Sequence, residues 1–174
     1  MKKFLLCLVL FYYCQLNVNG DECLYILNDD CIKKLYEKSL FYFRDNRIKV
    51  LKDSRGIIIR YEFSNAVYEY NNPSFDIYNQ FKDFLVKINN FAIIEVHTER
   101  IANRNVLNLA NWELSTIIAN NVEQYLLLHN NEIRRDKIVS VGYGEFLPAK
   151  NTSNNGGKIP NRIDIIILCD VSGE

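Results

Sequence analysis

The chain has 174 residues, and its 21 lysines and arginines are balanced by 21 aspartates and glutamates, so its formal charge at neutral pH is zero. This length is sufficient for one domain with a hydrophobic core. Nucleic-acid-binding domains normally carry a strong excess of positive charge, which this chain lacks. We therefore expect a single folded domain and no nucleic-acid partner.

The first twenty residues have the pattern of a secretory signal peptide. Lys2 and Lys3 precede an apolar run from Phe4 to Tyr13, which is too short to span a bilayer comfortably as a helix. Val18-Asn19-Gly20 fits a cleavage site after Gly20. We expect a periplasmic protein with no transmembrane span in the mature chain and leave association with the outer membrane open. An uncleaved signal anchor is the alternative.

Export would make disulfide bonds available to the three cysteines of the mature chain, Cys23, Cys31 and Cys169. Cys23 and Cys31 are near enough in sequence to close a small loop, which would leave one thiol unpaired. Three reduced thiols are the alternative. The histidines, His97 and His129, have no cysteine or histidine neighbour at metal-ligand spacing. We expect neither a metal nor a cofactor.

Hydrophobic periodicity divides the mature chain into alternating strands and helices. Residues 21–54 form a lead-in with a short amphipathic helix from Cys31 to Phe43, residues 55–170 form the folded domain, and residues 171–174 form a tail. Strands are predicted at 57–63, 91–96, 138–143 and 163–168, helices at 77–88 and 111–125, and polar loops at 99–111 and 149–158. This order predicts an α/β sandwich with helices packed on one face of a small sheet.

Motifs occur in a fixed order between Ile93 and Leu168. Asn111-Trp112-Glu113-Leu114-Ser115 starts the helix predicted at 111–125, and Gly142-Tyr143-Gly144-Glu145 forms a turn at the end of the third predicted strand. This order resembles the OmpA-like domain, a peptidoglycan-binding module, and is most similar to its MotB branch. The resemblance implies a β-α-β-α-β-β sandwich with a mixed sheet. It also implies a non-catalytic protein that binds peptidoglycan and links envelope components, with an envelope protein as a further partner.

In this family, an aspartate and an arginine bind the diaminopimelate of the peptidoglycan stem peptide. The aspartate belongs to a Gly-His-Thr-Asp motif, which reads Val96-His97-Thr98-Glu99 here. The arginine belongs to a Leu-Ser-x-x-Arg-Ala motif, in which this chain has Ile118 at the arginine position. The resemblance therefore implies a ligand site that consists of His97, Thr98, Glu99, Asn111, Leu114, Ile118, Asn161 and Arg162.

The missing arginine leaves two interpretations of this site. A ligand carboxylate without its partner would face an uncompensated desolvation cost of roughly 2–5 kcal/mol. A stem peptide with ornithine or lysine has a side-chain ammonium and no second carboxylate, so it would need Glu99 but not the arginine. Alternatively, the groove is degenerate, and the domain serves as a structural or partner-docking scaffold.

Several of these residues also have structural interpretations. His97 is also explained as a strand-end histidine, Glu99 as a solvated acid, Asn111 as a helix N-cap, and Arg162 as the partner of an acid inside the domain. The position of Trp112 at a helix start favours packing, and Gly142 and Gly144 favour backbone geometry. The sequence has no nucleophile elbow and no phosphate-binding glycine loop, so we do not expect an enzyme.

Overall fold

The computed structural model describes residues 29–99, 109–128, 132–146 and 160–169. The predictions for the signal peptide, Cys23, His129, most of the first polar loop, the second polar loop and the tail fall outside these ranges.

A five-stranded mixed sheet is the centre of the molecule, with the strand order β1-β2-β5-β3-β4. The strands are β1 (Ile48–Asp53), β2 (Gly56–Glu62), β3 (Ala92–His97), β4 (Ile138–Gly144) and β5 (Arg162–Leu168). Strand β5 is antiparallel to both of its neighbours, whereas β3 and β4 are parallel. The α/β architecture and the four predicted strands are confirmed. Strand β1 is an addition: it lies in the segment predicted as a lead-in and forms an edge of the same sheet.

The described residues also form four α-helices, which are α1 (Asp29–Tyr42), α2 (Ala66–Asn71), α3 (Phe75–Ile88) and α4 (Asn111–Leu128). Helices α1, α3 and α4 correspond to the three predicted helices. Helix α2 has six residues, too few for a periodic pattern, and begins where the Asn65 side chain accepts a hydrogen bond from the Tyr68 N–H. Within the described ranges, no helix combines the length and apolar character needed to cross a bilayer.

The hydrophobic core lies between one face of the sheet and the helices. Isoleucines dominate this face, and each of them is almost completely buried: Ile57, Ile59, Ile94, Ile163, Ile165 and Ile167. Helix α3 contributes Phe81 and Phe84 to the same core. Each fully buried side chain of this size stabilises the fold by roughly 1.5–3 kcal/mol relative to an exposed one, so this layer fixes how the helices sit on the sheet.

A disulfide bond joins Cys31 in α1 to Cys169, the residue after β5. The two cysteines are 138 residues apart in sequence, yet their Cα atoms are separated by only 6.0 Å. Both sequence-based expectations, the Cys23–Cys31 loop and three reduced thiols, are therefore wrong. Sequence proximity misled the prediction because the fold places α1 beside the end of β5.

Candidate functional site

Polar residues from three elements meet where β3 ends and β5 begins. The Glu99 backbone N–H donates to Asn161 Oδ1 at 2.9 Å, and Asn161 Nδ2 donates back to Glu99 Oε1 at 3.1 Å. Asn161 is only 3% exposed, and its Nδ2 also donates to the Ser64 carbonyl at 3.3 Å. The buried amide thus fixes the position of Glu99, whose own side chain stays half-buried.

Thr98 connects this pair to the start of α4. Its backbone N–H donates to the Gly144 carbonyl at 3.0 Å, and its hydroxyl donates to the Asn111 carbonyl at 3.3 Å. The Asn111 side-chain amide donates in turn to Glu145 Oε2 at 2.8 Å. The end of β3, the turn after β4 and the first turn of α4 are therefore one hydrogen-bonded unit.

Asn111 is the first residue of α4, and Ala110 occupies the N-cap position. The Leu114 N–H donates to the Ala110 carbonyl at 3.0 Å, and Glu113 Oε2 accepts from the Ala110 N–H at 2.7 Å, which is the N3 carboxylate half of a capping box without the N-cap side chain. The prediction that Asn111 is the N-cap is therefore wrong. The Asn111 side-chain amide instead donates a hydrogen bond to Glu145, which is 34 residues away in sequence.

Two glycines allow this close assembly. A Cβ atom on Gly142 would lie 2.2 Å from the Thr116 backbone nitrogen, so α4 packs directly on the β4 backbone. Gly144 has a φ of +54°, a left-handed conformation that favours glycine, and its N–H donates to the Ser115 hydroxyl at 2.8 Å. The predicted backbone roles of both glycines are confirmed.

Arg162 and His97 are directly opposite each other on β5 and β3, and each is 2% exposed. Arg162 Nε donates to Asp164 Oδ2 at 3.0 Å. Arg60 donates to the same carboxylate through Nε at 2.7 Å and Nη2 at 2.8 Å. Burial lowers the pKa of Arg162, and the Asp164 carboxylate acts in the opposite direction. Arg162 therefore makes the internal ion pair that was one of its two predicted roles.

The His97 ring is stacked on Tyr143, with centroids 5.1 Å apart and an interplanar angle of 16°. Its Nε2 lies 3.7 Å from Glu95 Oε2, beyond hydrogen-bond distance. In the part of the chain that the structure describes, neither ring nitrogen has a hydrogen-bond partner. Glu95 also accepts from Arg55 Nη1 at 2.6 Å. Burial acts to raise the pKa of Glu95, but the His97 ring and the Arg55 guanidinium outweigh it and hold that pKa below its ordinary value.

Six of the eight predicted site residues lie together at this end of the sheet: His97, Thr98, Glu99, Asn111, Asn161 and Arg162. The other two, Leu114 and Ile118, do not reach the surface of the site. Leu114 is 0% and Ile118 is 2% exposed, and both belong to the hydrophobic core. Glu145 is a further residue of the site that was not among the predicted ones, although the Gly-Tyr-Gly-Glu motif contains it. Among the described residues, no group of three histidine, cysteine, aspartate or glutamate side chains is arranged to hold a metal ion.

Solved structures with this architecture include a MotB-like protein from Desulfovibrio vulgaris. The two structures superpose with a TM-score of 0.66 and 19% sequence identity, over 81% of this chain and 96% of the other. The chain has the OmpA-like fold. No family model matches the chain, and no curated protein matches its sequence. The similarity of this chain to the solved structure is therefore one of fold.

Two further solved structures are similar in fold to this chain. The cell wall anchor of the T6SS from Pseudomonas aeruginosa has a TM-score of 0.57 and 14% identity, over 80% of this chain and 95% of that chain. The periplasmic domain of Helicobacter pylori MotB has a TM-score of 0.55 and 16% identity, over 71% of this chain and 82% of that chain. Both similarities extend over most of the two chains compared.

Proposed function

We propose that this OmpA-like domain is a non-catalytic module that binds the stem peptide of peptidoglycan in the periplasm and links envelope components. The observation that carries the proposal is the Glu99–Asn161 pair, in which a buried amide holds a half-buried carboxylate at the end of β3. The similarity to the cell wall anchor from P. aeruginosa and to periplasmic MotB supports a role at the cell wall.

The chemistry of the site favours a stem peptide with ornithine or lysine. Glu99 offers a carboxylate to a side-chain ammonium, and such charge-assisted hydrogen bonds are roughly twice as strong as neutral ones. The family arginine position is Ile118, which is buried in the core. A ligand without a second carboxylate does not need that arginine, so the substitution at position 118 is compatible with binding.

Co-sedimentation with purified sacculi tests this proposal. The exported chain should sediment with sacculi of the ornithine or lysine type, and Glu99→Gln should weaken binding by about 30-fold or more, which corresponds to roughly 2 kcal/mol. The glutamine keeps the shape of the side chain but removes the charge that pairs with the ammonium.

The matched control is Glu37→Gln, which removes a carboxylate from the exposed surface of α1. It should sediment like the wild-type chain. Equal sedimentation of wild type and Glu99→Gln would remove Glu99 from the site, and no sedimentation of the wild type would end the peptidoglycan proposal.

The burial of Ile118 favours a second candidate function, a degenerate domain that acts as a structural or partner-docking scaffold. The test is Ile118→Arg, with Asn120→Arg as the control that adds the same charge to an exposed position of α4. A groove that is otherwise intact should gain affinity for diaminopimelate-containing fragments in the first variant only. Because Ile118 lies in the hydrophobic core, circular dichroism first checks that both variants are folded. Equal affinities of two folded variants would support the scaffold, and unfolding of Ile118→Arg alone would assign Ile118 to the core rather than to a groove.

A further inference from the structure

A row of apolar side chains crosses the sheet on the face that is turned away from the helices. Strand pairing aligns one residue from every strand, and in sheet order the row is Leu51, Ile58, Ile166, Ile93 and Val139. None of the five belongs to the hydrophobic core under the helices. The row lies near the start of β3 and the end of β5, whereas Glu99 and Asn161 lie at the other end of these strands. It is therefore an apolar surface separate from both the core and the candidate site.

The centre of this apolar row is covered, whereas its β4 edge is not. Ile166 is 0% and Ile58 is 8% exposed, but Val139 is 47% exposed. The four described helices do not supply the cover, because their buried apolar residues belong to the core on the other face. Arg55 donates to Glu95 at 2.6 Å, so its side chain passes beside Ile166 and supplies part of the cover. One side chain is too small for a row that spans five strands, so the row fits a further apolar segment.

The chain that precedes α1 enters the fold at the same end of the sheet as the apolar row. Cys31, in the first turn of α1, is bonded to Cys169, which directly follows β5. Residues 21–28 lie outside the described ranges and contain the apolar run Leu24-Tyr25-Ile26-Leu27. Eight extended residues reach about 26 Å, and five strands span roughly 19 Å. The segment is therefore long enough to pass around the end of the sheet and lie on the centre of the row.

We propose that the apolar row is a docking surface for residues 24–27 of the same chain, which form an N-terminal strap over this face of the sheet. An apolar run that would otherwise face water then covers apolar side chains that the described helices leave uncovered, and removal of both surfaces from water is favourable. The strap holds the beginning of the exported chain at the end of the sheet away from Glu99. The inference does not depend on peptidoglycan binding, because the row and the candidate site lie at different ends of the strands.

A double-mutant cycle on the exported chain tests this contact. One member is the serine variant, which combines Leu24→Ser, Ile26→Ser and Leu27→Ser, and the other is Ile93→Ala in the apolar row. Each should raise the equilibrium constant of unfolding in urea by about tenfold or more. The combination should raise it by much less than the product of the two effects, because the contact between strap and row can be lost only once.

Val50→Ala is the matched control for Ile93→Ala. Val50 is also a half-buried β-branched residue of the sheet, but it packs against the core under the helices. Its effect on the equilibrium constant of unfolding should multiply with that of the serine variant, because the two changes share no contact.

Two results would overturn the strap. One is a serine variant as stable as the wild type, and the other is a serine variant whose effect multiplies with that of Ile93→Ala. Analytical ultracentrifugation then identifies the occupant that replaces it. A dimer weakened by Ile93→Ala would assign the apolar row to a second copy of the chain, and a monomer would assign it to a partner protein.

Discussion

Both faces of the central strand β5 are buried, but they differ in chemistry. On β5, Ile163, Ile165 and Ile167 face the helices, whereas Arg162 and Asp164 lie on the opposite face. On that opposite face, Asp164 is aligned with Arg60 of β2 and Glu95 of β3. We call the face that carries Arg60, Glu95, Arg162 and Asp164 the charged face. The face that packs against the helices is the helix-covered face.

The difference shows how one strand can satisfy two requirements at once. The helix-covered face needs only apolar shape, because dispersion and the hydrophobic effect are non-directional. The charged face needs a partner for each buried charge, because an unpaired ion in a low-dielectric interior is strongly destabilising. Asp164 therefore accepts hydrogen bonds from both Arg60 and Arg162. Arg162, the first residue of β5 on this face, directly follows Asn161 of the candidate ligand site.

The largest expected effect comes from removing the covalent link between α1 and the end of β5. Replacing both Cys31 and Cys169 by serine opens a loop of 138 residues, and the chain-entropy model assigns such a cross-link about 5 kcal/mol of stability at most. Urea unfolding should show a lower midpoint for the double variant than for the oxidised wild type. The reduced wild type should match the double variant; a reduced protein as stable as the oxidised one would contradict the prediction.

The second-largest expected effect comes from removing the shared carboxylate of the charged face. Asp164→Ala leaves the guanidinium groups of Arg60 and Arg162 without their shared carboxylate, and loss of one partner of a buried ion pair costs about 3–5 kcal/mol. The free energy of unfolding measures the loss. The control is Asp30→Ala, which removes a carboxylate from an exposed pair with Lys34 and should leave the free energy of unfolding nearly unchanged. Similar values for the two variants would mean that the charged face contributes no more than surface ion pairs do.

The smallest expected effect is a dependence on pH that is confined to the charged face. The folded-state pKa of Glu95 lies below its ordinary value of 4.5, so the unfolded chain binds the proton more tightly. The stability due to Glu95 is therefore fully present above pH 4.5 and is lost as the pH falls through the folded-state pKa. Between pH 7 and pH 3, Glu95→Gln should lose less stability than the wild type.

Glu37→Gln is the control for the pH series, since it removes a carboxylate from the exposed surface of α1. Its loss of stability on acidification should follow that of the wild type. Parallel curves for Glu95→Gln and the wild type would show that ionisation of Glu95 does not stabilise the folded state.

Much of the candidate site was accessible from sequence motifs, because the motifs lie at the ends of predictable elements. His97 and Thr98 are predicted from the end of one strand, and Gly144 is predicted from the end of another. The contact between Asn111 and Glu145 was missed because a helix-start asparagine normally caps its own helix. Strand β1 was missed because Lys49 and Lys52 interrupt its apolar pattern, as is common at the edge of a sheet.

The sequence by itself determined the α/β class, the positions of most strands and helices, and the glycine-dependent turn, because these follow from local periodicity and backbone conformation. Only the tertiary structure decided the partners of long-range contacts. Cys31 and Cys169 are 138 residues apart, and Arg60 and Asp164 are 104 residues apart. Such pairs depend on which strands become neighbours, and that arrangement is set by the burial of the whole core rather than by any one segment.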